Sequence, residues 1–308
     1  MIDKLDFILA LARERHFGRA AEACGVTQPT LSAGVKQLEE QLGVLLVNRG
    51  SRFQGFTPEG ERVLEWARRI VGDSRAMREE IKSLRHGLSG QLRLAAIPTA
   101  LPMIAALTTP YRERHANVRF TVYSRTSIEI FELLDNLEID AGITYLSNEP
   151  LGRVTAVPLY KEHYRLLTSA DAPLGNRDTV TWAEVAQVPL CLLTPDMQNR
   201  RIIDRLLQGA GGEARPTLES DSMILLFSHV RTGRWASVMP AKLAETLGLT
   251  DTLRAIPITE PEATQTIGLV VPAREPMMPA TAALVEEAKA LAPRLDEAAA
   301  PPARARMQ

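Results

Sequence analysis

Gln28, Thr30, Ser32 and Lys36 are the side chains in this chain best placed to do recognition chemistry. A glutamine amide can address a base edge and favours adenine, while hydroxyls and an ammonium suit phosphates or a second base. Such groups read a duplex only when they stand together at the start of a helix narrow enough to enter a groove. The flanking residues supply that helix. Val26, Leu31, Val35 and Leu38 share one inward side, which leaves Gln28, Thr30, Ser32, Ala33 and Lys36 on the other.

Thr27 is positioned to cap this helix, and Pro29 is tolerated because first-turn amides have no intrahelical partner. Before it, Phe17-Gly18-Arg19-Ala20-Ala21-Glu22-Ala23-Cys24 reads as a short helix whose small alanines let a neighbour approach. Gly25 can take the left-handed conformation that ends it. Helix, tight turn and helix in this order form a helix-turn-helix, whose second helix reads bases with its N-terminal residues.

The bulk charge does not carry the reading. The 308 residues have a formal net charge of -1, and residues 1–60 hold seven Lys/Arg against seven Asp/Glu. DNA affinity then depends on where charges sit and on doubling by self-association. At 45% hydrophobic and 24% charged, the composition is that of a globular protein of two or three domains. Cys24 and Cys191 lie far apart with no CxxC, which excludes the usual zinc spacings and a disulfide framework and fits a reducing cytosol. No metal or cofactor is expected. The N-terminus has acids where a secretion signal needs a basic end, and no apolar run approaches the roughly 18 residues of a membrane span, so a cytoplasmic location is expected.

Further along, Asp3 is expected to cap a first helix whose apolar face is Leu5, Phe7, Ile8, Leu11 and Ala12. Asn48 to Phe56 reads as a β-hairpin wing from which Arg49 and Arg52 reach phosphates or the minor groove. Thr57-Pro58-Glu59 starts a helix that should run to about His86, where Gly87 stops it. Val63, Ala67, Ile70, Ser74, Met77, Ile81 and Leu84 recur along it in alternating steps of four and three, a seam that predicts a dimerisation helix.

Beyond Gly87 the pattern becomes α/β. Short strands at Leu92–Ile97, Val118–Tyr123 and Asp140–Tyr145 alternate with helices, which predicts parallel pairing with right-handed crossovers. The rhythm restarts at 163–168, 190–193 and 235–239, with helices at 199–207 and 223–232. Strand 267–271 and helix 280–291 follow. Two lobes joined by crossings near residues 160 and 268 would resemble a periplasmic-type binding protein.

Taken together these residues resemble the LysR-type transcriptional regulators across about residues 1–292. The matching residues are Phe17, Ala20-Ala21, Val26-Thr27-Gln28-Pro29-Thr30-Leu31-Ser32, Leu38-Glu39, Leu42-Gly43-Val44, Leu46 and Phe56-Thr57-Pro58-Glu59-Gly60. Ile97-Pro98-Thr99, Asp140-Ala141-Gly142, Gly233 and Met239-Pro240 match the second half. One departure is that many relatives carry a basic residue after the recognition-helix serine, where this chain has Ala33-Gly34.

The resemblance implies an α/β protein with an N-terminal winged helix-turn-helix (1–58), a linker and dimerisation helix (59–88) and a two-lobed effector-binding domain (89–295). Lobe I would hold about 91–161 and 268–295, and lobe II about 162–267. The tail, 296–308, is expected to be disordered. The partners implied are promoter DNA, a small-molecule co-inducer, a second copy of the chain in a dimer that usually pairs into a tetramer, and RNA polymerase.

A ligand between such lobes meets strand C-termini and helix N-termini. Thr99 and Ala100, Thr126 and Ser127, Thr144, Thr194, and Ser222 occupy those positions, and either Arg200 or Arg201 offers a guanidinium. Hydroxyls, helix N-termini and a cation suit a small anion. The alternative function is a solute-binding module without a transcriptional role. An enzyme is not expected: no GxSxG, GxGxxG, P-loop or HExxH occurs, and His16, His86, His115, His163 and His229 pair with no nucleophile.

Overall fold

The computed structural model describes residues 1–48, 53–147, 151–213 and 215–297, the last two as backbone only. Arg49 and Arg52, expected on the wing, and the tail beyond residue 297 lie outside the described residues. The chain divides into two compact units. The first holds Met1–Leu88 with segments 133–138 and 274–279, and the second holds the rest from Ser89 onward.

The first unit is built from α1 (Ile2–Glu14), α2 (Phe17–Ala23), α3 (Gln28–Leu42) and α4 (Pro58–His86). α1 buries Leu5, Ile8, Leu9 and Leu11. It begins one position before Asp3, with Met1 at the cap and no side-chain cap bond, so the expected Asp3 cap is corrected. Asp3 instead lies in the first turn, where its charge meets the positive end of the helix dipole. α2 is capped by His16, whose Nδ1 accepts from the amides of Gly18 at 3.1 Å and Arg19 at 3.3 Å.

Gly25 takes φ +67° as the turn requires. Thr27 then caps α3, its Oγ1 accepting from the Thr30 amide at 3.4 Å. Glu39, near the end of α3, anchors the following chain: its Oε1 accepts from Leu46 N at 2.8 Å and Val47 N at 3.2 Å. Val47 bridges Phe56 in antiparallel fashion, and Phe53 packs edge-on against both Phe17 and Phe56. Thr57 caps α4 through Gly60 N at 3.0 Å, and α4 runs 29 residues before Gly87 ends it.

The second unit begins with β1 (Gly90–Ala96), a 3-10 turn (Pro98–Ala100), α5 (Met103–Arg114), β2 (Val118–Ser124), α6 (Ser127–Asp135) and β3 (Ala141–Tyr145). β1 pairs in parallel with both β2 and β3, as the strand–helix–strand rhythm predicts. β4 (Val154–Ser169) is a long strand, followed by β5 (Val180–Thr181), α7 (Trp182–Val185), β6 (Cys191–Leu193) and α8 (Gln198–Gly209). Then come β7 (Leu218–Ser220), α9 (Met223–Val230), β8 (Ser237–Pro240), α10 (Ala241–Thr246), β9 (Leu253–Thr259), β10 (Thr264–Pro272) and α11 (Pro279–Glu297).

The sheet order is β2-β1-β3-β10-β4-β9-β5, with β8 also on β4 and β6-β7 as a separate parallel pair. β4 serves both lobes. Its first part pairs antiparallel with β10, and its last part with β8 and β9. The β10 register shifts between Ile267 and Gly268, a bulge that bends the strand where the two lobes join. β9 and α10 were not foreseen from the sequence. α11 extends through Glu297, so residues 296 and 297 continue a helix where a disordered tail was expected.

Candidate nucleic-acid interface and effector site

On α3 the inward side is fixed by Leu31, Val35 and Leu38, all buried in the core of the first unit. Gly34 is buried beside them, and a Cβ there would lie 2.6 Å from the Phe7 ring, so α1 can cross this closely only over a glycine. Gln28, Pro29, Thr30 and Lys36 are exposed on the other side, and Ser32 is half-buried. The Thr30 hydroxyl is 2.8 Å from that of Thr27, which holds the first turn. Lys36 stands 3.8 Å from Glu40, both exposed, an arrangement too exposed to cost a phosphate much of that cation. The α3 face therefore offers an amide and hydroxyls to base edges at its N-terminus and a cation one to two turns later.

On α4, Ala67 is fully buried in the unit's own core and Val63 and Ile70 are half-buried against it. These three expected dimer contacts thus pack within their own chain, because α1 lies across this part of α4. Met77, Ile81 and Leu84 are exposed, and Trp66 joins them with Arg69 over its ring at 5.3 Å.

In the second unit, several expected effector contacts already have local work. Thr99 sits in the 3-10 turn, where the Ala100 amide donates to Ile97 O at 2.9 Å; α5 starts only at Met103. Thr126 forms a reciprocal cap for α6: its Oγ1 accepts from Glu129 N at 3.2 Å, and its own amide donates to Glu129 Oε2 at 2.8 Å. Ser127 is buried. Ser222 caps α9 through Leu225 N at 3.4 Å, and the Thr194 amide donates to Ser220 O at 3.2 Å. Thr144 is fully buried, and its Oγ1 makes no hydrogen bond.

Arg200 is corrected as a guanidinium free for an anion. It is buried, with Nε donating to Asp204 at 2.6 Å and Nη1 to Glu219 at 2.5 Å and to the Leu193 carbonyl at 2.8 Å. Burial pulls its pKa down, but Glu219 and Asp204 outweigh that and hold it above the ordinary value. Arg201 donates to the Asp196 carbonyl at 2.6 Å. Trp235 is half-buried against the lobe II core, its ring 5.4 Å from His229.

The lobes meet instead around Tyr145, at the C-terminal end of β3. Its hydroxyl donates to Glu162 Oε1 at 2.7 Å, accepts from Asn199 Nδ2 at 3.1 Å and lies 3.5 Å from Thr99 Oγ1. Thr99 and Tyr145 come from lobe I, Asn199 from the first turn of α8 in lobe II, and Glu162 from the strand that both lobes share. Beside Asn199, Gln198 donates to the Ser147 carbonyl at 3.2 Å, a second link from α8 to lobe I. All four hub residues are buried.

Burial pushes the Glu162 carboxyl up to about 7 against the opposing pull of the Tyr145 and Tyr164 hydroxyls. Burial, with Glu162 next, pushes Tyr145 well above the ordinary phenol value. Among the described residues, none of the groups acting on Glu162 is a cation. Glu162 Oε2 has no hydrogen-bond partner, and the Tyr164 hydroxyl, near enough to influence the carboxyl, makes no bond of ordinary geometry either.

Of this hub, sequence reasoning found only Thr99. Glu162 carried a readable signal: along β4 it falls in step with Tyr160, Tyr164 and Leu166, all buried, so an acid occupies a core-facing position of a period-two strand. Tyr145 ends the third expected strand one residue after Thr144, and Asn199 adjoins Arg200. Each was one position from a residue already singled out.

Residues 2–61 match the bacterial regulatory helix-turn-helix protein, lysR family, and residues 85–293 match the LysR substrate binding domain. The chain belongs to the LysR family. It is a DNA-binding, ligand-responsive transcriptional regulator of that type, in which the resemblance read from the sequence and the expected fold class both hold. A similar protein is the DNA-binding transcriptional dual regulator OxyR of Escherichia coli K12, 29% identical over 296 residues and covering 96% of each chain. A probable nitrogen assimilation transcriptional activator of Synechococcus elongatus is 27% identical over 282 residues, 90% of this chain and 91% of that one. Among solved structures, a full-length cysteine variant of OxyR from Pseudomonas aeruginosa superposes with a TM-score of 0.73 at 26% identity, covering 94% of each chain. Members of this family are transcriptional regulators, not enzymes. Among the described residues no helix is long and apolar enough to cross a membrane, and no group of three or more His, Cys, Asp or Glu could hold a metal ion.

Proposed function

We propose that this regulator works in the cytoplasm as a dimer paired into a tetramer, which reads promoter DNA through α3 and alters its grip when a small molecule enters between the lobes of the second unit. Gln28 and Thr30 address bases, Ser32 and Lys36 address phosphates or a second base, and Arg49 and Arg52 hold the flanking backbone. Met77, Ile81 and Leu84 on α4 join the protomers. The Tyr145 hub, with Thr99 and Asn199, takes the effector, whose binding biases the angle between lobes. The observation that carries this reading is the exposed Gln28-Pro29-Thr30 turn, capped by Thr27 and backed by buried Leu31, Val35 and Leu38.

The test is a gel shift with the DNA directly upstream of the protein's own gene. A salt-sensitive, sequence-selective shift with a footprint of several helical turns is expected. A shift without sequence preference, or none, refutes it and favours a solute-binding module.

Several relatives are hydrogen peroxide-inducible genes activators, among them one from Escherichia coli O157:H7 at 29% identity over 96% of each chain. We infer a bound stimulus here and not thiol oxidation. The chain has two cysteines. Cys191 is fully buried, and burial pushes its thiol up to about 11. Burial, with Asp6 next, also raises Cys24 in the first unit. Peroxide reacts with thiolates, and neither thiol is one at neutral pH.

A further inference from the structure

The Tyr145 hub also constrains the charge of whatever binds there, given the reading above that the effector enters between the lobes. Glu162 Oε1 is occupied by Tyr145, while Oε2 is buried and unpartnered with the Tyr164 hydroxyl beside it. Among the described residues, no cation is among the groups that act on Glu162; Lys242 of α10 lies over the Tyr160 ring at 5.3 Å and donates to the Leu295 carbonyl at 2.6 Å. Tyr145 from β3 and Tyr160 and Tyr164 from β4 are neutral phenols, raised by burial. Gln265, opposite Glu162 on β10, is uncharged and accepts at Oε1 from the Ser147 hydroxyl at 2.9 Å.

From α8 come the amides of Gln198 and Asn199. Arg200 is already neutralised by Asp204 and Glu219, and exposed Arg205 acts on Tyr164, not on Glu162. A ligand carboxylate brought to this point would face a second carboxylate in a dry setting with no cation between them, which low local dielectric makes strongly unfavourable. A donor group meets the opposite situation, because Oε2 is a buried acceptor that makes no hydrogen bond of ordinary geometry, even to the Tyr164 hydroxyl.

We propose that the part of the effector reaching Glu162 is an ammonium or a neutral N–H or O–H donor, and that carboxylate-bearing ligands are rejected at this point. This reverses the anion expected from the sequence. The selectivity belongs to the ionised carboxyl, so it weakens as Glu162 gains a proton.

Three probes on one two-carbon frame test it by isothermal titration with the full chain at matched ionic strength: ethylammonium, acetamide and acetate. At about pH 8, ethylammonium should bind at least about tenfold tighter than acetate, with acetamide between them. The preference should shrink at about pH 5.5, where ethylammonium keeps its charge and Glu162 does not. Glu162→Gln should remove most of the preference. Should that variant fail to fold, the pH comparison in the unaltered protein decides alone.

Acetate binding as tightly as ethylammonium at the higher pH, a preference that ignores pH, or no binding of any probe overturns the proposal. A gel shift on the same preparation separates the two readings. Selective DNA binding with the wrong ligand order sinks the charge inference and leaves the regulator intact. The expected ligand order without selective DNA binding refutes the regulator reading instead.

Discussion

Replacing Glu162 by glutamine keeps nearly the same shape and an acceptor for the Tyr145 hydroxyl, but removes the titration. In the folded chain burial raises this carboxyl from its ordinary 4.5 to about 7. That difference corresponds to about 3 kcal/mol between the protonated and ionised folded states. The sign follows from proton counting. Between the two pKa values the folded chain holds a proton that the unfolded chain has lost, so stability falls as pH rises through this window and levels off above it.

Urea unfolding of the unaltered protein, followed by circular dichroism, should thus lose about 3 kcal/mol from this group between about pH 4.5 and 7, or on the order of 1 M in midpoint. Glu162→Gln should lack that component and gain on the parent as pH rises. Parallel midpoint-versus-pH curves for the two proteins would show that Glu162 titrates in the fold as it does in the unfolded chain, and the reasoning about the hub would fail with it.

Gln28→Ala should relax base preference with little change in salt dependence, whereas Lys36→Ala should weaken binding to all sequences alike and lower the salt slope by about one; gel shifts at several salt concentrations separate the two. Gly34→Ala places a methyl against the Phe7 ring and should cost about 1–3 kcal/mol, read as a lower midpoint for the first unit; an unchanged midpoint would mean that α1 gives way freely. Ile81→Glu, on the exposed stretch of α4, should reduce the mass seen by light scattering, and an unchanged mass moves the self-association surface elsewhere. Brief treatment with equimolar hydrogen peroxide should leave both thiols reduced by mass spectrometry, while oxidation of Cys191 would restore a peroxide-sensing role.

The DNA-reading end was legible because its signals are local. Thr27 caps its own helix, Gly25 turns its own chain, and Leu31, Val35 and Leu38 mark the inward side by spacing alone. The same locality explains where the reading slipped. Asp3 and Met1 are neighbours, and cap position is a matter of one or two residues. The α4 seam is regular from Val63 to Leu84, yet only its C-terminal part is exposed. Periodicity reports that a face is apolar, not what covers it. Whether α1 or a second chain does so is decided by tertiary packing.

The effector site was less legible for the converse reason: its chemistry depends on which side chains long-range folding makes into partners. Arg200 looked like an anion ligand beside a helix N-terminus, and one of its neutralising partners, Asp204, stood one turn away in plain sight. The other, Glu219, arrives from β7, whose parallel pairing with β6 brings it beside the start of α8. With both in place the guanidinium is satisfied. On the charge proposal above, the polarity expected of the site inverts, with Glu162, an acid at a core-facing position of β4, setting it instead. A buried charge is therefore better read from its complement of partners than from its own type. A strand acid in phase with tyrosines and leucines would have pointed to the hub before any arginine did.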